Sequence, residues 1–362
     1  MKQALFLTFL MLMAPFVALA SNVDNSENQS SGLDQVLDIS EHELTQEQVK
    51  SLAGARVSSG NWLHHVGGIG ADEGVISRMA PNGDLYIGGK ICHGAGTCSA
   101  IFGSTTIYAN NDIFIAKLAS NGTWLWVVQT TSTNSNSYAY LTDMAIDTFG
   151  HVFISGHYSY SKTWGSISKS TTYSNGPFDG FVARLNAIGT WSWVNTMESY
   201  DASYARGIAV DSNQNVYVVG ESYLYHSSSS YRYVYISGNS LSNGCNWRYV
   251  PWLVKYNGVG VFDWVDKLES YGNCYNRYMK DVITDSNDSV IVTGYFDDTL
   301  SFQSMSTTSS GGNDVFLAKV DSSHNWQWLT HGGGLSSDEP EKLAIDSNDN
   351  IIVVGYNIME FI

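Results

Sequence analysis

Charged side chains are scarce in this sequence, and basic ones are the scarcest. Only 14% of the 362 residues are charged, and 18 Lys and Arg stand against 34 Asp and Glu, a formal net charge of −16. Binding to nucleic acid requires a basic surface that neutralises phosphates, and anionic membrane surfaces attract the same residues. The composition therefore argues against both partners and predicts an acidic chain that stays in solution.

Long apolar runs are missing except at the N-terminus. Lys2 precedes an apolar stretch over residues 4–16, and residues 18–20 form a small-x-small cleavage pattern. This predicts a secretory signal peptide over residues 1–20, cleaved near Ala20, because the run is too short to remain as a membrane span. No Cys follows the cleavage point, which argues against a lipid anchor. We expect a protein that is secreted, periplasmic or attached to the cell surface, without membrane insertion.

Motifs for known catalytic and cofactor chemistry are also missing. The sequence contains no HExxH, no GxSxG, no Walker phosphate loop and no GxGxxG that opens a helix. Residues 346–350 (DSNDN) resemble a calcium loop but lack its central Gly and closing Glu, so an Asx turn is predicted instead. We expect no cofactor, no metal and a monomer, and the sequence predicts no specific activity.

Tryptophan is abundant, and its spacing reveals an internal repeat. Five similar phrases begin at intervals of 64, 67, 71 and 64 residues. A residue that recurs at such intervals indicates one structural unit copied several times. The five tryptophans are Trp62, Trp126, Trp193, Trp264 and Trp328.

Four short phrases recur in a fixed order between the tryptophans. The first is an apolar run that ends in Asp, the second alternates and ends in Gly, the third resembles DVFLAKV, and the fourth is the Trp phrase. All are rich in β-branched and aromatic residues and are bounded by Asn, Asp, Gly and Ser, which predicts strands. Four short strands in each repeat of about 65 residues predict one blade of a β-propeller. The small residues of the first phrase favour the innermost position, and the indole favours the outermost position or one between blades.

Three phrases resemble the bacterial SBBP-type β-propeller repeat family. They are AVDSNQNVYVVG at 209–220, GGNDVFLAKV at 311–320 and WSWV at 191–194. The resemblance covers residues 61–362 and implies an exported bacterial β-propeller, in a family that has no common activity. The third repeat departs from the pattern, because Val250 and Pro251 replace the Asp that begins the third strand, so the start of that strand is less certain.

The ends of the repeat array suggest how the ring closes. A lone fourth phrase at Trp62 precedes four complete repeats, and a first and second phrase follow them. We predict an all-β fold, a β-propeller of five blades with four antiparallel strands each, closed by the N-terminal outer strand. The third strand of the last blade has no clear counterpart, so either residues 357–362 replace it or that blade is incomplete. A larger ring of six or seven blades is the remaining alternative, and residues 21–60 are predicted to be an acidic polar linker.

Strand alternation places all the long loops on one face. The loops between second and third strands are long, whereas those between first and second strands are short turns, so binding is expected on the long-loop face. Its loops are rich in Tyr, Ser and Asn, a composition typical of binding surfaces, and residues 231–235 (YRYVY) predict an inserted strand with its phenols on one side. The candidate ligand-binding residues are Tyr138, Tyr140, Tyr204, Tyr225, Tyr231, Tyr233 and Tyr275.

Three functional hypotheses follow. The first is a non-enzymatic binding or scaffold protein that recognises a glycan or a protein through these tyrosines, although they could also only pack the loops together. The second is a carbohydrate-active hydrolase or lyase that uses a pair of loop carboxylates. The third is a purely structural surface protein. The carboxylates on the long-loop face are Glu198, Asp201, Glu221, Asp297, Asp298, Asp338 and Glu339.

Four cysteines complete the candidate sites. An even number of cysteines in an exported chain predicts disulfides. Cys92 and Cys98 share one loop, while Cys245 and Cys274 fall in neighbouring loops of the same face, so we predict the pairs 92–98 and 245–274. A zinc site at Cys92, His93 and Cys98 is the rival, but its spacing is not a standard one.

Overall fold

The structure is a computed structural model that describes residues 64–68, 71–94, 96–171, 178–224, 233–242, 248–268 and 277–356. The chain divides into two units, Met1–His64 and His65–Ile362, and every described strand belongs to the second. Throughout these ranges the secondary structure is β, with no helix and therefore no helix that could cross a membrane.

The strands follow the predicted repeat. The first strand and blade 1 comprise β1 (Gly67–Gly68), β2 (Ala71–Met79), β3 (Leu85–His93), β4 (Cys98–Phe102), β5 (Thr105–Ala109), β6 (Asp112–Leu118) and β7 (Trp124–Thr131). Blade 2 comprises β8 (Ala139–Ile146), β9 (Val152–Tyr158), β10 (Ser161–Trp164), β11 (Ile167–Ser170), β12 (Asp179–Leu185) and β13 (Trp191–Ser199). Blade 3 comprises β14 (Ala202–Val210), β15 (Val216–Leu224), β16 (Val234–Ile236), β17 (Asn239–Leu241), β18 (Arg248–Tyr256) and β19 (Phe262–Lys267). Blade 4 and the fifth sheet comprise β20 (Arg277–Thr284), β21 (Val290–Phe296), β22 (Thr299–Phe302), β23 (Met305–Thr308), β24 (Asp314–Val320), β25 (Trp326–Gly332), β26 (Glu339–Ile345) and β27 (Ile351–Tyr356).

Each blade pairs its four main strands antiparallel in chain order. The orders are β2-β3-β6-β7, β8-β9-β12-β13, β14-β15-β18-β19 and β20-β21-β24-β25, and β26 pairs with β27 in the fifth sheet. The first strands of successive sheets contact one another, so they surround the axis. The second and third strands are buried along most of their length, which explains their continuous apolar sequences. The predicted β-propeller and its innermost first strands are therefore confirmed.

A β-bulge interrupts the first strand at the same position in all five sheets. Its register with the second strand shifts by one residue there. A bulge increases the local twist and changes the direction of the side chains around it. The same irregularity therefore recurs where each inner strand approaches the long-loop face. The bulged residues are Val75, Thr142, Arg206, Lys280 and Glu341.

Hairpins occupy the segments that the sequence analysis treated as long loops. Each of the four blades contains one, and the inserted strand predicted over residues 231–235 overlaps β16 at residues 234–235, whereas residues 231–232 lie outside the described residues. The hairpin of blade 2 pairs with β7 of blade 1, and the hairpin of blade 3 pairs with β13 of blade 2. The Trp strand is therefore not the outermost strand in blades 1 and 2, where a hairpin strand lies outside it, and its indole takes the other expected position, between blades.

The strand β1 pairs with a hairpin strand of blade 1 in the same way as β7 pairs with a hairpin strand of blade 2. Gly67 lies opposite Ile101 of the blade 1 hairpin, as Thr131 lies opposite Thr163 one blade later. Counted from the tryptophan of each phrase, these two partners occupy the same position. The segment β1 therefore has the register of a fourth strand from a blade that precedes blade 1, while Trp62 itself lies outside the described residues.

Two local expectations are corrected. The third strand of blade 3 begins at Arg248, two residues before Val250, and contains Pro251 in its interior. The first strand of blade 1, β2, lacks the terminal Asp of its counterparts and ends before Ala80 and a Gly turn instead. It is recognisable only from its pairing with β3.

Candidate functional site

A ring of cross-strand pairs marks the long-loop end of the inner strands. In each sheet the residue after the repeated Gly of the second strand lies opposite a residue of the first strand. The backbone position is constant but the side chains differ, so the repeat fixes the framework and leaves the chemistry free. These axial pairs are Glu73–Lys90, Tyr140–His157, Tyr204–Glu221, Tyr278–Tyr295 and Glu339–Tyr356.

Aromatic rings connect the axial pairs of blades 2 and 3. The rings of Tyr140 and His157 stack with their centroids 4.9 Å apart, and His157 meets Tyr204 edge-on at 5.0 Å. Tyr138 stacks beside Tyr140 at 6.3 Å, and Phe178 contacts both His157 and Tyr204. All five rings are partly exposed. They form a continuous surface that offers both apolar faces and polar edges.

A second aromatic group spans blades 3 and 4. The centroids of Tyr249 and Tyr278 are 4.6 Å apart, and Tyr278 stacks on Tyr295 at the same distance. The Lys280 ammonium lies 5.4 Å from the centroid of the Tyr295 ring, within cation–π range. We call the two groups together the aromatic belt: Tyr138, Tyr140, His157, Phe178, Tyr204, Tyr249, Tyr278 and Tyr295.

An ion pair between the part-exposed Arg206 and the buried Glu221 lies beside Tyr204. Arg206 donates from Nε and Nη2 to Oε1 of Glu221 at 2.8 and 2.6 Å, and its guanidinium lies 4.9 Å from the centroid of Tyr204. Glu221 is only 1% exposed. Burial raises the pKa of Glu221 even though the Arg206 charge opposes that shift. The pair is thus a fixed support beneath the tyrosines, and removing one partner would leave a buried charge.

Burial favours the uncharged form of four members of the belt. Burial, followed by the neighbouring Arg206 charge, lowers the pKa of His157 to about 3. Burial raises the phenol pKa of Tyr140, Tyr204 and Tyr278. His157 is therefore an uncharged imidazole and the tyrosines are uncharged phenols at neutral pH, available as hydrogen-bonding groups.

A charged cluster lies near the same axis. Lys342 of the fifth sheet donates to Asp143 of blade 2 at 3.0 Å and to Asp281 of blade 4 at 3.1 Å, and Arg78 of blade 1 donates to Asp143 at 2.8 Å. Burial raises the pKa of Asp281 to about 6. Burial lowers the pKa of Lys342, but the two carboxylates outweigh it and raise that pKa overall. Four sheets therefore meet in one ion cluster.

The predicted ligand-binding tyrosines divide into three groups. Tyr138, Tyr140 and Tyr204 lie together in the aromatic belt. Tyr233 lies apart from the belt, before β16 at the outer edge of blade 2, with its ring 6.2 Å from that of Tyr235. The remaining three lie outside the described residues: Tyr225, Tyr231 and Tyr275.

Sequence reasoning overlooked several members of the site. His157 and Tyr295 directly follow the repeated Gly of a second strand, and this position could have identified them. Arg206 and Lys280 sit at the bulge, which no sequence pattern announced because the residue type changes in every repeat.

Three of the seven loop carboxylates are held by contacts with neighbouring groups. Glu221 is held by Arg206, and the buried Asp338 accepts a hydrogen bond from the Gly334 amide at 3.0 Å. Glu339 accepts a hydrogen bond from Asn313 at 3.4 Å. These three of the seven candidates therefore serve local structure.

One predicted disulfide is present. Cys92 and Cys98 are bonded, with Cα atoms 5.6 Å apart, whereas Cys245 and Cys274 lie outside the described residues. The carboxylate of Asp72 lies close to both sulfurs and accepts a hydrogen bond from the Cys92 amide at 3.0 Å. Zinc binding requires thiolates, so this group does not form a zinc site while the disulfide is intact.

Comparison with known proteins identifies the repeat. Residues 199–223 match the SBBP β-propeller repeat family, over the first two strands of blade 3. The chain is a β-propeller repeat protein. It is also 26% identical, over 203 residues, to an uncharacterised WD repeat-containing protein of Acanthamoeba polyphaga mimivirus. That match covers 49% of this chain and 14% of the viral protein, so the chain spans only a small part of its relative.

Two solved structures show a weaker likeness. A protein of unknown function from Bacteroides caccae is 10% identical with a TM-score of 0.34, over 66% of this chain and 60% of that one. A Hadza microbial sialidase is 10% identical with a TM-score of 0.31, over 68% of this chain and 54% of that one.

Proposed function

We propose that this protein is a non-enzymatic binding protein that recognises a glycan at the aromatic belt. The observation that carries the proposal is the succession of stacked, partly exposed rings from Tyr138 through His157 to Tyr204. Such rings present apolar faces to the C–H faces of sugars, and their phenol and imidazole edges can bond to hydroxyl groups. Few polar groups placed among aromatic side chains are typical of small-ligand sites.

A glycan fits the belt better than a protein partner does. The core of a protein interface is rich in large apolar and aromatic side chains and excludes water. The exposed aliphatic residues of the described chain lie on strands and turns other than those that carry the belt. They include Ile101, Leu125, Ile188, Val259, Val261 and Leu335.

The setting of this function is also a proposal. The predicted signal peptide over residues 1–20 would export the chain, and its acidic composition suits a soluble monomer outside the cytoplasm. A glycan at the cell surface or in the surrounding medium would then be the accessible ligand.

A glycan array probed with residues 21–362 tests the proposal. We expect binding to a subset of glycans, weakened about fivefold or more by Tyr140→Ala and by Tyr278→Ala, since aromatic contacts contribute about 1 kcal/mol or more each. Tyr140→Phe separates stacking, which it retains, from hydrogen bonding. The matched control is Tyr108→Ala, because Tyr108 is 68% exposed on the hairpin strand β5.

Other results of these experiments would contradict the proposal or favour a different function. Binding to no glycan would contradict the proposal, and specific retention of a protein from cell extract would favour a protein ligand. Polysaccharide cleavage that disappears in Glu339→Gln would favour the hydrolase alternative.

A further inference from the structure

A second irregularity in the pairing of β2 with β3 distinguishes blade 1 from the other sheets. One residue of β2, Asp72, lies opposite two residues of β3, Ile91 and Cys92, so the register shifts there. The first strands of the other four sheets have only the bulge described above. Cys92 also has a φ of 57°, which is uncommon for a residue other than glycine. Bulges change the direction of side chains beside functional sites, and strained backbone clusters at such sites.

This irregularity brings a carboxylate to the disulfide between Cys92 and Cys98. One carboxylate oxygen of Asp72 and the two sulfurs lie within 4.8 Å of one another. Two backbone amides fix the carboxylate, since Gly68 donates to Oδ2 at 2.7 Å and Cys92 donates to Oδ1 at 3.0 Å. A carboxylate offers about four lone pairs, so Asp72 can accept both hydrogen bonds and still bind a cation.

Two thiolates and a carboxylate are a ligand set that zinc accepts. Tetrahedral zinc places its sulfur and oxygen ligands about 3.5–3.8 Å from one another. The Cα atoms of Cys92 and Cys98 are 5.6 Å apart, and the oxygen of Asp72 is already beside both sulfurs. Only the sulfurs would have to separate after reduction. Hydrogen bonds to a ligating carboxylate are the usual support of a metal site, and the two amides supply them here.

The structure replaces one ligand of the zinc site that the sequence suggested. The His93 ring packs edge-on against Tyr138 and Tyr140, with centroids 5.8 and 5.1 Å away. These contacts hold the imidazole against the aromatic belt, whereas Asp72 adjoins the sulfurs. The set is therefore two cysteines and one aspartate, and water would complete the coordination, as it does where three protein ligands hold zinc.

We propose that blade 1 contains a redox-dependent zinc site, in which Cys92, Cys98 and Asp72 bind Zn²⁺ once the disulfide is reduced. The reductant is a low-molecular-weight thiol. Its thiolate attacks Sγ of the part-exposed Cys98, and the sulfur of the buried Cys92 leaves with the electron pair of the broken S–S bond. A second thiolate attacks the external sulfur of the mixed disulfide, which releases the Cys98 thiolate and one external disulfide. The two protons of the reductant pass to solvent as Zn²⁺ binds the two thiolates.

The metal would preserve a connection that reduction breaks. Cys92 lies in β3, and Cys98 begins β4, the hairpin strand that pairs with both β5 and β1. The disulfide ties this hairpin to the second strand of blade 1. Zinc held by the same two sulfurs would tie it in the reduced state, so both states keep the hairpin in place.

Cobalt is the probe for this site, because tetrahedral Co²⁺ occupies zinc sites and absorbs visible light when thiolates bind it. The protein is residues 21–362 with Cys245→Ser and Cys274→Ser, so that only Cys92 and Cys98 can supply thiols. After reduction with a phosphine and its removal, we expect one Co²⁺ to bind per chain with thiolate-to-metal absorption, and Zn²⁺ to displace it. The oxidised protein should bind neither ion. Zn²⁺ should also raise the melting temperature of the reduced protein alone.

Single variants of the same protein identify the ligands. Asp72→Asn should bind Co²⁺ at least about tenfold more weakly, since even loss of a group that supports a ligand has that effect. Glu73→Gln is the matched control, because this neighbouring carboxylate pairs with Lys90 at 2.7 Å, and His93→Ala should also bind normally. Cys98→Ser leaves both amide contacts of Asp72 and should abolish binding, which tests the site even if Asp72→Asn fails to fold by circular dichroism. Absence of cobalt absorption in the reduced protein, or equal affinity of Asp72→Asn and Glu73→Gln, would overturn the proposal.

Discussion

The indole of Trp264 lies flat against the imidazole of His324 in the next blade, with centroids 3.9 Å apart and an interplanar angle of 7°. The two preceding repeats make the same connection through a hydrogen bond. Trp126 Nε1 donates to Ala187 O at 3.2 Å and Trp193 Nε1 donates to Gly258 O at 3.1 Å, each in the following blade. The recurring tryptophan therefore joins neighbouring blades, in addition to packing within its own.

Removing the Trp264 side chain, and with it the contact with His324, should destabilise the propeller. We expect Trp264→Ala to lower the free energy of unfolding by about 2–4 kcal/mol, because a large aromatic contact is lost and a cavity remains between blades. Trp264→Phe should cost less, since a smaller ring can still face His324. Urea unfolding followed by circular dichroism measures both. Leu335→Ala is the control, because Leu335 is 90% exposed, and an equal loss in that variant would contradict the interpretation.

The sequence predicted the blades because their strands satisfy local rules. The second strand of blade 3, Val216–Leu224, begins with the continuous apolar run 216–220, and the burial of that part on both faces follows from the run. The hairpin strands were harder to recognise. Segments such as Ser161–Trp164 and Ile167–Ser170 are short and polar, with six of their eight residues partly or fully exposed, so they resemble ordinary loops until their pairing is known.

The site was only partly predictable for a related reason. Tyr138, Tyr140 and Tyr204 were recognised from composition, which records residue types near the long loops. The pairing of Tyr204 with Glu221 depends on register, and the placement of Arg206 depends on a bulge. Both are set by contacts between strands, and no pattern within one strand encodes them.

Removing the N-terminal strand should cost more stability than removing the linker. In the described residues, β1 pairs with β4, Val66 packs on the cluster that contains Phe102, and the Gly68 amide donates to Asp72 at 2.7 Å. We expect deletion of residues 61–67 to lower the melting temperature by several degrees, and deletion of residues 21–60 to change it little. Differential scanning calorimetry compares the two variants. Equal effects would contradict the proposal that the N-terminal strand closes the ring.

The imidazole of His157, which packs against Tyr140, Phe178 and Tyr204, should make stability depend on pH. Its pKa is lowered from about 6.5 to about 3, so below pH 6.5 the unfolded chain binds a proton that the folded chain rejects. The free energy of unfolding should therefore fall as the pH drops from about 6.5 towards 3, by about 1–3 kcal/mol from this residue.

Protonation of Asp281 changes the free energy of unfolding in the opposite direction, so its effect must be distinguished from that of His157. The pKa of Asp281 is raised to about 6, so its contribution falls as the pH rises from about 3.8 to 6. We therefore compare wild type with His157→Gln by urea unfolding at about pH 4 and 7. The variant should lose less stability at the lower pH than wild type does. Parallel behaviour of the two proteins would show that His157 is protonated in the folded state.

Two glycines in neighbouring blades test whether the repeated Gly of the second strand is required for steric reasons. A Cβ at Gly156 would lie 2.1 Å from Tyr140 O and 2.7 Å from the Phe181 ring, whereas a Cβ at Gly74 would meet nothing within 4 Å. Neither residue has a positive φ, so Ala is compatible with both backbones. Gly156→Ala must separate β8 from β9 or displace the ring, and we expect it to lower the free energy of unfolding by about 2–4 kcal/mol. Gly74→Ala should be neutral or slightly stabilising, by up to about 1 kcal/mol, because it only restricts the unfolded chain. Chemical unfolding of the two variants under identical conditions gives both values. If the two effects were equal, the close approach of Tyr140 and Phe181 to Gly156 would not be a steric requirement for the fold.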